Sequence, residues 1–188
     1  MSKTRLKKEN LNNLIINSQN GNIKALEELI KRVQKHIYSI FSHLTQKKED
    51  ISDLTQETLL KMAKSISQLK NPIFFNAWLN KIITNIYYDY SRKNPDKFIE
   101  LSEEKFNEIK DKIGCEPGEK CLFAELDKLI KTALMTLSKD LRITIVLREY
   151  EGLSYQDISE ITNTAIGTVK SRLSRARIKL QKELKEFI

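Results

Sequence analysis

Apolar residues at helical spacing recur in several long stretches of this 188-residue chain. From Ile23, the positions Leu26, Leu29, Ile30, Val33, Ile37, Ile40, Phe41 and Leu44 keep the i, i+3, i+4 spacing of a helix with one buried side. Only five Gly and three Pro occur, against abundant Leu, Ile, Lys and Glu, a composition that favours helix throughout. An all-α fold is expected. His36 and His43 sit seven apart on this helix and are expected to be partly exposed.

A second helix is predicted from about Glu49 to Leu69. A third runs from near Phe74 to the Arg92-Lys93-Asn94-Pro95 break, where Pro95 disfavours helical geometry in the residue before it. Residues 96–119 combine weak periodicity, many acids and a Gly114…Pro117-Gly118 cluster, the composition of a linker. Helical spacing returns with Leu122, Leu126, Leu129, Ile130, Leu134 and Leu137. Helices are then predicted over about Ser138–Tyr150, from Ser154, and over about Ile166–Phe187. The expected organisation is two small helical domains, 1–95 and 121–188, joined by a flexible acidic linker over 96–120.

The formal charge of +8 points to a polyanionic partner, and its distribution is more informative. Residues 1–93 carry +8, residues 94–133 carry −3 and residues 134–188 carry +3, with +5 concentrated in 165–188. Two basic modules thus flank an acidic middle. Cys115 and Cys121 are too few for a disulfide framework, and only His36 and His43 could join them at a zinc site of about four ligands. No metal or cofactor is expected. Without a convergent set of carboxylates, His or Cys, neither is an enzymatic activity. No apolar run reaches bilayer length and no secretory segment follows MSKTRLKKEN, so a cytoplasmic protein without membrane insertion is expected.

The stretch Leu153–Arg177 is the most informative. Ser154 and Asp157 form a helix N-cap pair, Ile158 and Ile161 give the short helix a buried side, and Asn163 suits a left-handed turn. The next helix places Val169, Leu173, Ala176, Leu180 and Leu184 on one stripe. Thr168, Ser171, Ser174, Arg175 and Ile178 lie opposite, flanked by Lys170, Arg172 and Arg177. This is a helix-turn-helix layout, with hydroxyls and Arg suited to base edges and flanking cations to phosphates. The plainer alternative is an amphipathic helix with a solvated basic face.

The string Ala165-Ile-Gly-Thr-Val-Lys-Ser-Arg-Leu-Ser-Arg-Ala-Arg177 resembles region 4 of sigma-70 factors of the extracytoplasmic-function subgroup. That region reads the −35 promoter element. The resemblance implies a −35 contact set of Thr168, Lys170, Ser171, Arg172, Ser174 and Arg175. Thr164 and Ala165 depart from the family pattern, and Thr164 becomes a candidate cap for the helix.

On the second helix, Ile51, Leu54, Thr58, Met62 and Leu69 share one side, and Asp53, Gln56, Glu57, Leu60 and Lys64 the other. A Leu among carboxylates suggests a small protein-binding patch, although single exposed Leu residues are common. Ser52-Asp-Leu-Thr-Gln-Glu-Thr-Leu-Leu-Lys-Met62 resembles region 2.2 of the same family. That resemblance implies docking on core RNA polymerase through Asp53, Gln56, Glu57 and Leu60.

The third helix has a core stripe of Leu79, Ile82, Ile83, Ile86 and Tyr90, beside a face of Trp78, Lys81, Asn85, Tyr88, Asp89 and Arg92. Aromatics among cations and amides suit single-stranded DNA. Core edge plus an Asp89–Arg92 pair is the structural alternative. Phe75-Asn-Ala-Trp-Leu-Asn-Lys-Ile-Ile-Thr-Asn85…Asp89…Arg92 is similar to regions 2.3–2.4, which open and read the −10 element. The resemblance implies −10 contacts from Trp78, Lys81, Asn85, Tyr88 and Arg92. Lys70 and Asn71 of the preceding loop, Leu69–Phe74, are implied as base readers.

Taken together, the resemblances imply a promoter-recognition factor whose partners are core RNA polymerase, promoter DNA and an anti-sigma factor. The rival is a helix-turn-helix operator-binding regulator that works without polymerase. It explains the C-terminal motif but neither N-terminal face.

Overall fold

The computed structural model describes residues 2–98, 101, 102, 104, 106 and 119–185. Among them every regular element is helical. The N-terminal half holds α1 (Ser2–Gln19), α2 (Ile23–Ser42), α3 (Lys48–Ser65) and α4 (Phe75–Lys93). The C-terminal half holds α5 (Glu119–Met135), α6 (Lys139–Glu149), α7 (Tyr155–Thr162) and α8 (Ile166–Leu184).

Local chemistry sets most of these boundaries. Gly21 takes φ 83° in the turn after α1, and the Asn22 side chain then accepts the Ala25 N–H at 3.1 Å to open α2. Glu49 and Asp50 lie in the first turn of α3 and Lys64 in its last, the arrangement that complements a helix dipole. Short 3-10 turns at Ile66–Gln68 and Pro72–Phe74 carry the chain from α3 to α4. α4 stops at Lys93, and Asn94 leaves helical geometry immediately ahead of Pro95.

The α2 stripe is buried as its spacing predicts, through Leu29, Val33, Ile37, Ile40, Phe41 and Leu44. It packs against Ile51, Leu54 and Met62 of α3 and Leu79, Ile82, Ile83 and Ile86 of α4. Each such side chain, once buried, contributes about 1.5–3 kcal/mol relative to exposure. Two expectations are corrected here. Tyr90 is only half-buried, and the fully buried tyrosine of α4 is Tyr87, whose hydroxyl reaches the Lys139 carbonyl of the other half. His43 is buried too, donating from Nδ1 to the Ser39 carbonyl at 2.7 Å while its ring meets Tyr150 at a centroid distance of 4.0 Å.

Both corrections have one cause, because the halves pack together and share a continuous apolar core. Arg142, 2% exposed, joins them: it donates to the carbonyls of Leu44, at the end of α2, and of Met135 and Leu137, between α5 and α6. The expected flexible linker lies largely outside the described residues, as does Cys115. Of that stretch, the Leu101 N–H donates to the Met135 carbonyl at 3.1 Å. Phe106 is buried against Leu129 and Ala133 of α5.

Candidate polymerase and nucleic-acid interfaces

On α3 the two sides separate cleanly. Leu54, Thr58 and Met62 face inward, and the Thr58 hydroxyl is satisfied by its own helix through the Leu54 carbonyl at 2.7 Å. Asp53, Gln56 and Glu57 are exposed, with Leu60 55% exposed beside them. An apolar side chain ringed by carboxylates and an amide is left without cover on this helix.

α4 presents its polar face less freely. Lys81 and Asn85 are exposed, whereas Trp78 and Tyr88 are half-buried. Arg92 is exposed but pairs with Asp89 one turn earlier. The Tyr88 phenol lies in the seam between the halves, where burial, followed by the charge of Asp140, pushes its pKa up to about 12. In the loop before α4, Lys70 and Asn71 are both exposed, and the Asn71 side chain accepts the Ile73 N–H at 3.0 Å. Ile73 and Phe74 are well exposed next to it.

The helix-turn-helix is built by local rules. Ser154 and Asp157 form a reciprocal capping box at the start of α7. Asn163 adopts the left-handed conformation, φ 51°, and turns the chain into α8. Thr164 does not cap α8: Ala165 holds that position, and the Thr164 hydroxyl meets Thr162 Oγ1 at 2.9 Å instead. Val169, Leu173 and Ala176 are buried, and Lys170, Ser171, Ser174 and Arg175 are exposed on the outer side. Thr168 is half-buried. The Ser171 hydroxyl donates to the Thr168 carbonyl and Arg175 Nε to the Ser171 carbonyl, which lays both side chains along the helix surface.

Two flanking arginines are already engaged. Arg172 Nη2 lies 3.1 Å from Asp140 on α6, and its side chain is only 15% exposed. Arg177 pairs with Glu149 at the end of α6 at 2.7 Å. Asp140, Glu149 and Glu151 were not singled out in the sequence, because acids that act across a tertiary seam leave no periodic trace.

Profiles of known families resolve what these modules are. Sigma-70 region 2 matches residues 29–95, and Sigma-70 region 4 matches residues 127–180. The ECF RNA polymerase sigma-E factor of Haemophilus influenzae is 32% identical over 184 residues, covering 93% of this chain and 95% of that protein. The chain belongs to the sigma-70 family, in its extracytoplasmic-function group. The RNA polymerase sigma-H factor of Pseudomonas aeruginosa is 27% identical over 183 residues, with 93% and 94% covered. Among solved structures, the sigma factor RpoE of Bartonella quintana, in complex with the anti-sigma factor NepR, has a TM-score of 0.64 at 31% identity. That likeness covers 87% of this chain and 98% of the RpoE chain. CnrH, in complex with the cytosolic domain of CnrY, shares the fold at TM-score 0.65 and 20% identity, with 94% and 98% covered.

The sigma-factor chain accordingly directs promoter recognition at transcription initiation, with core RNA polymerase and promoter DNA as partners. The operator-binding rival is not favoured, since the match to region 2 accounts for the N-terminal faces it left unexplained. Among the described residues, no helix is long and apolar enough to cross a membrane.

Proposed function

We propose that the work of this sigma factor divides among three surfaces on two domains, 1–95 and 121–188, with 96–120 between them. Asp53, Gln56, Glu57 and Leu60 dock on core polymerase. Lys70, Asn71, Trp78, Lys81, Asn85, Tyr88 and Arg92 hold the melted −10 strand, where bases stack on rings and phosphates meet cations. Thr168, Lys170, Ser171, Arg172, Ser174 and Arg175 engage the −35 duplex, Arg175 at base edges and the flanking cations at phosphates. The factor works in the cytoplasm, carries out no chemistry of its own, and is held in check by an anti-sigma factor. The solved relatives complexed with NepR and CnrY support that last point.

The observation that carries this reading is the division of α3, which buries one side completely and leaves Leu60 exposed among Asp53, Gln56 and Glu57 on the other. The test is Asp53→Lys combined with Glu57→Lys. Both side chains are exposed, so helicity and thermal stability should hold while co-purification with core polymerase and transcription from a promoter library are lost. Undiminished co-purification would remove the docking assignment.

A further inference from the structure

Along its length, α4 meets carboxylates of the C-terminal half. At one end, Phe74, Trp78 and Lys81 share a cavity of about 240 Å³ with Asp157, Glu160 and Ile161 of α7. In the middle, the Asn80 amide donates to Glu151 at 3.1 Å. At the far end stands Asp140, in the first turn of α6. It holds Arg172 of α8 at 3.1 Å and lines, together with Tyr88, the cavity at that end of α4. One carboxylate therefore pairs with a residue assigned to the −35 duplex and stands beside a residue assigned to the −10 strand.

We infer that Asp140 couples the two DNA-binding surfaces, so that engaging either promoter element releases the residue held for the other. Arg172 cannot reach a phosphate while it is bound to Asp140, and Tyr88 cannot stack on a base while it is packed in the seam. Drawing Arg172 onto duplex DNA removes the cation that keeps Asp140 in place beside Tyr88. By linkage, capture of Tyr88 by a single strand must favour release of Arg172 to the same extent. The apparent DNA affinity of the free protein is its intrinsic affinity multiplied by the open fraction. This inference rests on the assignments of Tyr88 and Arg172 proposed above.

Trp78, the one tryptophan of the chain, sits in the seam and reports its opening. In the full-length free protein, Asp140→Asn should shift Trp78 emission to the red and tighten binding of a labelled DNA duplex by at least about threefold. Saturating duplex should red-shift the wild-type emission and leave that of Asp140→Asn where it already is. Glu149→Gln is the control, because Glu149, on the same helix as Asp140, pairs with Arg177 of α8 within the C-terminal half; it should keep the wild-type emission. Should Asp140→Asn lose helical circular dichroism, Tyr88→Phe, which keeps the ring but lacks the hydroxyl, takes its place in the emission measurement. Unshifted emission in the seam variant overturns the latch. A red-shifted variant with a wild type that duplex leaves unmoved overturns the coupling. If Arg175→Ala also binds duplex normally, the failure belongs to the α8 assignment rather than to Asp140.

Discussion

His36 Nε2 lies 3.1 Å from the Glu151 carboxylate, although 115 residues separate them in sequence. The pair bridges α2 to the turn between α6 and α7. The hydrogen bond to Glu151 raises the His36 pKa above 6.5, burial opposing it. Burial pushes the Glu151 carboxyl up, but the hydrogen bonds from His36 and Asn80 outweigh it and leave it below 4.5.

Stability from this pair therefore has two pH limits. The raised His36 contributes fully below its unfolded value of 6.5, and its contribution disappears as pH rises through the folded value. The depressed Glu151 contributes above its unfolded value of 4.5 and loses that contribution as pH falls through its folded value. His36→Gln should cost under about 1 kcal/mol near pH 6, since the imidazole is half exposed, and nothing at alkaline pH. Urea unfolding at several pH values measures this. His43 tests the sign, because burial lowers its pKa and its contribution instead fades as pH falls.

The −10 surface predicts a separation of binding from melting. Tyr88→Ala and Arg92→Ala should leave initial promoter binding by the holoenzyme largely intact and weaken permanganate reactivity of the melted strand, since stacking arises only after bases separate. Asp89→Ala should leave thermal stability nearly unchanged, because the Asp89–Arg92 pair is exposed. Normal footprints together with a lowered Tm in all three variants would make this face structural.

For the −35 helix, reading and holding are separable. Arg175→Ala should reduce affinity for the preferred −35 sequence by roughly 1–3 kcal/mol and that for altered sequences much less. Lys170→Ala should weaken all sequences alike and lower the salt slope by about one unit. A panel of −35 sequences at two salt concentrations gives both answers.

The turn between α7 and α8 allows a local test. Asn163→Ala places a Cβ-bearing residue without a compensating amide in the left-handed region and should cost roughly 1–2 kcal/mol. Asn163→Gly should be close to neutral. Thermal unfolding distinguishes them, and equal losses would indicate that the amide, not the backbone, matters.

What the sequence revealed depended on periodicity. The α2 and α3 stripes, the exposed Asp53–Leu60 face, the Ser154–Asp157 cap and the Asn163 turn were all legible, because each is set within a few residues of itself. His43 was misjudged and Tyr87 passed over in favour of Tyr90, because their surroundings include Tyr150 and Lys139 of the other half. The engagement of Arg172 was invisible for the same reason: nothing in the spacing of α8 announces Asp140 on α6. Thr164 was a reasonable cap by residue type, but its hydroxyl turned to Thr162. Phe106 was hidden inside a stretch whose composition reads as linker, yet its ring is buried against Leu129 and Ala133 of α5.

Arg142 sets how the two halves can come apart. An interior seam fastened only by aliphatic side chains would leave a greasy scar wherever it opened. A guanidinium keeps its charge in either state, and water can replace the Leu44 carbonyl as acceptor while those of Met135 and Leu137, in the same half, stay bound. At this point the fastening is reversible by exchange of one hydrogen-bond acceptor, within a seam whose remainder is apolar. Such a joint can sit near balance between shut and open, where a partner with modest preference for one arrangement decides which is populated.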